Sequence, residues 1–112
     1  MLPSEYYDII DSVYGDYSHK TIRSLNDLIR QYIDESYLED YSVKVHETSY
    51  DKTVNVYIET GTIEEYIHVK MIGISNGIIV IFKIRTPSEM DSSIDVYFVN
   101  EDGSVDYYGS LN

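Results

Sequence analysis

Three histidines and several close-set carboxylates are the residues through which this chain could do metal or acid–base chemistry. Glu65 and His68 have the Glu-x-x-His spacing that brings two ligands together on a helix. Glu64 and His68 stand four apart, His46 adjoins Glu47, and His19 is isolated. The adjacent pairs Glu64–Glu65 and Glu101–Asp102 offer acid–base groups. Nucleophilic chemistry has less to work with: there is no cysteine, and no serine sits in a glycine-flanked elbow. The six glycines are scattered and form no phosphate-cradling loop.

The local pattern removes most of this chemistry. Residues 63–74 alternate as a strand does, which sends Glu65 and His68 to opposite faces. Glu64 and His68 would share a face, but four strand residues separate them by roughly 13 Å, too far to hold one ion. Glu64–Glu65 straddles two faces, and Glu101–Asp102 reads as a hairpin turn. We therefore expect no catalytic, metal-binding or cofactor-binding residue, and a protein that is not an enzyme.

What remains is charge. Twenty Asp and Glu stand against eight Lys and Arg, a formal net of −12, whereas a plain domain is comfortable with a magnitude of about 2–8. The excess repels phosphate backbones and anionic lipid, so neither direct nucleic-acid binding nor membrane binding is expected. Fifteen isoleucines and no alanine argue against salt adaptation as its source. Acidity also serves solubility, and an AT-rich genome raises Tyr, Ile, Asn and Asp together. The expected partner is a basic protein surface.

The charge is concentrated beside tyrosine. "DESYLEDY", Asp34 to Tyr41, holds four carboxylates and two tyrosines without a cation. It falls at a helix C-terminus, where each exposed carboxylate opposes the dipole by roughly 0.3–1 kcal/mol. Asp95 with Tyr97, and Asp106 with Tyr108, repeat the pairing at strand spacing. Tyrosine supplies flat area and a hydroxyl at low ordering cost. Carboxylates supply steering and charge-assisted bonds to lysine and arginine. The candidate partner-binding residues are therefore Asp34, Glu35, Tyr37, Glu39, Asp40, Tyr41, Asp95, Tyr97, Asp106 and Tyr108.

In size and composition the chain resembles the small acidic inhibitors that phages and archaeal viruses direct against restriction, CRISPR or repair enzymes. That likeness implies a binding protein that inhibits a nucleic-acid-handling protein or defence complex by occupying its cationic site. The same physics suits an immunity protein neutralising a basic toxin. A small enzyme or an ordinary soluble domain is the remaining alternative.

The elements that must position these residues are legible from periodicity. Tyr6, Ile9, Ile10 and Val13 form a helical stripe over about 4–14, between Ser4 as N-cap and Gly15. Ile22, Leu25, Leu28, Ile29, Tyr32 and Ile33 form a second over about 20–37, beginning at Ser18 or Thr21. Arg23–Asp27 and Arg30–Asp34 are spaced to pair along it. Strands follow at about 41–48, 53–60, 63–74, 78–85, 94–100 and 104–109. Asn76-Gly77 suggests a type I′ hairpin, and Gly73 a bulge. "IIVIF", Ile78 to Phe82, is apolar on both faces and belongs in the middle of a sheet.

The expected fold is α+β: two N-terminal helices packed on one face of a five- or six-stranded antiparallel meander sheet. A small barrel with a helical lid is the second choice. The 112 residues suit one domain. "MLPSEYYDII" lacks the basic and apolar stretches of a secretory signal, so a cytoplasmic protein is expected. It should be a monomer or homodimer, with the final strand near Tyr107 and Tyr108 as a possible pairing edge.

Overall fold

The computed structural model describes residues 2–36, 38, 40–48, 52–61, 64–85 and 92–111. Helix α1 spans Ser4–Tyr14 and α2 spans His19–Asp34. Pro3, not Ser4, occupies the N-cap position of α1 in an extended conformation and makes no side-chain cap bond; its carbonyl accepts from the Tyr6 N–H at 3.0 Å. Ser18 caps α2 by accepting from the Thr21 N–H at 3.1 Å. The two helices are joined side by side where the Tyr6 hydroxyl donates to Asn26 Oδ1 at 2.7 Å.

Six strands follow: β1 Ser42–Thr48, β2 Thr53–Glu59, β3 Tyr66–Ile74, β4 Gly77–Arg85, β5 Ser92–Asn100 and β6 Val105–Leu111. They form one sheet in the order β1-β2-β3-β4-β5-β6, and every neighbouring pair is antiparallel. This is the expected α+β meander, with the doubly apolar β4 inside it. Both helices lie on one face, α1 against β1 and β2, α2 against β4 and β5.

Register separates the two faces. Val45, Val56, Val69 and Phe82 are successive cross-strand partners, all buried under the helices with Leu25 and Ile29. One residue along, Lys44, Tyr57, His68, Lys83 and Ile94 form the matching row on the face away from the helices. Because side chains alternate, each strand contributes one set to the core and one to this open face.

Several local expectations are corrected. Gly73 pairs regularly with Ile78 and makes no bulge. A Cβ there would meet the Tyr17 hydroxyl at 2.7 Å and the Tyr14 ring at 2.9 Å, so this glycine makes room for two tyrosines. They anchor α1: Tyr14 donates to the Lys52 carbonyl at 2.6 Å and Tyr17 to the Ile74 carbonyl at 2.7 Å. The bulge lies instead at Val96/Tyr97 opposite β6.

The β3–β4 loop is Ser75-Asn76, with Gly77 already paired to Ile74. Among the described non-glycine residues φ is positive only at Asp40 and Lys52, so the loop is not type I′. Gly77 is needed for close approach: a Cβ would lie 2.2 Å from the Val99 carbonyl oxygen and 2.5 Å from the Phe98 ring. Arg30 pairs with Asp27, one turn back along α2, and not with Asp34. β3 begins at Tyr66, and Ile63, expected at its start, lies outside the described residues. So do residues 86–91 of the β4–β5 connection.

Candidate protein-binding site

Where α2 crosses β5 and β6, a groove of about 330 Å³ is lined by Asp27, Gln31, Tyr32 and Glu35 from the helix and by Tyr97 and Val105 from the strands. The floor is aromatic. Tyr32 lies flat on Phe82, centroids 3.8 Å apart and planes 12° from parallel. Tyr97 meets both edge-on, at 6.3 Å and 5.6 Å, and Tyr107 continues the row 5.0 Å beyond it.

Asp95 sits at the end of that row. Tyr32 donates its hydroxyl to Oδ2, and Tyr107 donates to Oδ1 at 3.3 Å. Two phenols from different elements thus orient one carboxylate. Burial, reinforced by the bond to Asp95, pushes the Tyr32 phenol far above its ordinary value. Tyr97 is raised by burial and then by Asp95, Tyr107 and Glu35; Tyr107 is raised by desolvation and Asp95. All three remain protonated at neutral pH, and Tyr32 and Tyr107 are donors to Asp95.

The groove therefore presents the Glu35 and Asp27 carboxylates beside aromatic faces, with Asp95 held next to it by the Tyr32 and Tyr107 hydroxyls. Gln31 donates to Glu35 at 3.2 Å, and Asp27 is engaged by Arg30. No Lys or Arg lines the groove among the described residues. Such a site can receive a guanidinium or ammonium group, with carboxylates for the charge and rings for its planar or methylene surface.

The expected site residues are divided by the fold. Glu35, Asp95 and Tyr97 come together here. Asp34 points to the other side of α2, where with Tyr41, Tyr7 and Arg30 it lines a second groove of about 530 Å³. Asp40 is exposed at a positive φ of 51°. Asp106 is the cross-strand partner of Phe98, and the Tyr108 ring lies 6.4 Å from Phe98; both belong to the open face, away from Asp95 and Tyr97. Tyr37 and Glu39 lie outside the described residues.

Sequence reasoning missed Tyr32 and Tyr107. By periodicity Tyr32 belongs wholly to the core stripe, whereas its ring stacks on Phe82 and its hydroxyl reaches Asp95. Tyr107 reaches the helix face because the regular register from the hairpin sets it opposite Tyr97, and the register shift beyond that pair leaves Tyr108 on the other face. The available signal was alternation: Tyr107 lies between Asp106 and Tyr108 and so belongs to the opposite face.

His46 and His68 both pack against Tyr57, the former edge-on at 5.6 Å, and His19 stands apart on α2. His68 stacks on Tyr57 at 4.5 Å and contacts Asn55 Oδ1 at 2.8 Å. No group of three or more His, Asp or Glu among the described residues is disposed to hold a metal ion. No described helix is long and apolar enough to cross a membrane.

Tertiary structure also sorts the charge. Seven exposed carboxylates, from Glu5 to Glu35, line the two helices and their connection, against Lys20, Arg23 and Arg30. The open sheet face instead carries Lys44, Lys70, Lys83 and Arg85, half of the chain's eight cations, with Lys44 paired to Glu59 at 3.8 Å. Comparison with protein families, with curated proteins and with solved structures finds no match to this chain.

Proposed function

We propose that this chain is a small acidic binding protein that inhibits a nucleic-acid-handling protein or defence complex by occupying its cationic site with its helix-side surface. What supports the reading is one observation: Glu35 lines a groove beside Tyr32 and Tyr97, Asp95 is held next to it by the Tyr32 and Tyr107 hydroxyls, and among the described residues no Lys or Arg lines it. A lysine or arginine from a phosphate-binding surface fits that chemistry, and the acidic helices around it steer such a surface in. The protein would act in the cytoplasm, against a partner whose own substrate is polyanionic.

The test is affinity capture followed by mass spectrometry with two baits, wild type and Glu35→Lys. Basic nucleic-acid-binding proteins should be enriched on the first, depleted on the second, and released by salt. Identical captures on both baits would sink the proposal. Recovery of a basic toxin in place of a nucleic-acid enzyme would move the same site to an immunity role.

A further inference from the structure

The open face of the sheet has an apolar half that no helix covers. Ile72, Ile79, Ile81, Ile94, Val96 and Phe98 form a contiguous block across β3, β4 and β5, and Ile74 at its border is 39% exposed. None but Phe98 is buried, and none belongs to the helix-side core. Contiguous apolar surface of this kind marks a contact site, and the usual partner for a one-sided sheet is another sheet.

We infer that the open face packs against the open face of a second copy of this chain, giving a helix–sheet–sheet–helix sandwich. The charges on the face argue for self-association. Its cations lie toward β1–β4, where among the described residues Glu59 pairs with Lys44 alone, whereas Asp106, accepting from Asn100 Nδ2 at 2.9 Å, lies on edge strand β6. A two-fold axis running along the strands between β4 and β5 lays β4 of one copy on β5 of the other, and β3 on β6. Ile81 then faces Val96 of the second copy, and Ile79 faces its Phe98.

Under the same operation Lys70 falls one row from Asp106 of the second copy, within the reach of a lysine side chain, and the contact occurs twice. The four strands β3–β6 project on the order of 500–600 Å², which side-chain relief brings close to the about 800 Å² per partner that stable interfaces bury. A polyanion would engage Lys70 and Lys83 and leave the isoleucines wet. Both acidic grooves remain on the outside of the sandwich, so the dimer is a bivalent binder.

Sedimentation of the full chain over the micromolar range tests this. Wild type should reach twice the 13.0 kDa chain mass, and added salt should tighten the dimer by screening two chains of net −12. Ile81→Lys should be monomeric with an unchanged far-ultraviolet spectrum. Ile81→Thr, which keeps strand propensity, should dissociate at roughly tenfold higher concentration. Lys70→Asp and Asp106→Lys should each weaken the dimer and their combination restore it. A monomer throughout, a dimer untouched by either Ile81 change, or single swaps that are not rescued would each overturn the inference. So would a labelled oligothymidylate bound through Lys70 by a monomeric chain, which would give this face to a polyanion.

Discussion

The hydroxyl of Tyr32, on α2, is bonded to the carboxylate of Asp95, on β5, sixty-three residues away. The same ring lies flat on Phe82. One side chain therefore joins the hydrophobic core to the candidate site, and its two roles can be separated by substitution.

Tyr32→Phe keeps the stack and removes the donor to Asp95. Stability should fall by about 1 kcal/mol, since Tyr107 still serves the carboxylate. Tyr32→Ala removes the stack as well and should cost about 3 kcal/mol. Urea denaturation of both variants measures the difference; equal losses would mean that the stack carries nothing, and a Phe variant as stable as wild type that the hydrogen bond carries nothing.

The glycines give a sharper contrast. Gly77→Ala drives a Cβ toward the Val99 carbonyl oxygen at 2.2 Å, a backbone atom that the sheet holds in place. It should destabilise by about 2 kcal/mol or more. Gly61 has nothing within 4 Å of a built Cβ and no left-handed φ, so Gly61→Ala should stay within about 1 kcal/mol of wild type, on the more stable side. Thermal melting of the pair is the check.

His68 makes stability depend on pH. Burial, then Lys83 and Lys70, lowers its pKa below the ordinary 6.5, because protonation would place a third positive charge among them. The unfolded chain therefore takes up the proton first. The contribution of His68 is fully present above pH 6.5 and is lost as pH falls below it toward the depressed folded value. His68→Gln should flatten that part of the stability curve, and unfolding followed from pH 7.5 downward would reveal it.

Cation binding at the groove is measurable without the natural partner. An arginine-rich peptide should shift the Tyr97 and Tyr107 ring resonances, and Glu35→Lys should weaken it roughly tenfold or more. Binding should fall as salt rises, because Glu35 is exposed and its interactions are screened. The salt response is opposite in sign to that expected for self-association through the open face. The two surfaces can thus fail independently.

Periodicity carried the architecture. The stripes of α1 and α2, the alternation of β1 and β2 and the doubly apolar β4 each report local geometry plus one burial decision, and residues within one element suffice for that. Loops were less legible. The Ser75-Asn76 loop and the role of Gly73 depend on how closely Phe98, Tyr14 and Tyr17 approach, and those neighbours come from distant segments.

The chain's own residues determined that it is acidic, tyrosine-rich, free of cysteine and built as helices followed by an antiparallel meander. Which carboxylates and phenols meet was decided by tertiary structure. "DESYLEDY" reads as one cluster, yet Asp34 and Glu35 face opposite sides of α2, and Glu35 finds its companions on β5. The cations look scattered along the chain, but strand register gathers half of them on one sheet face. A strand's alternation gives each residue a side, and only the pairing of strands and the landing of a helix on them say what else stands on that side.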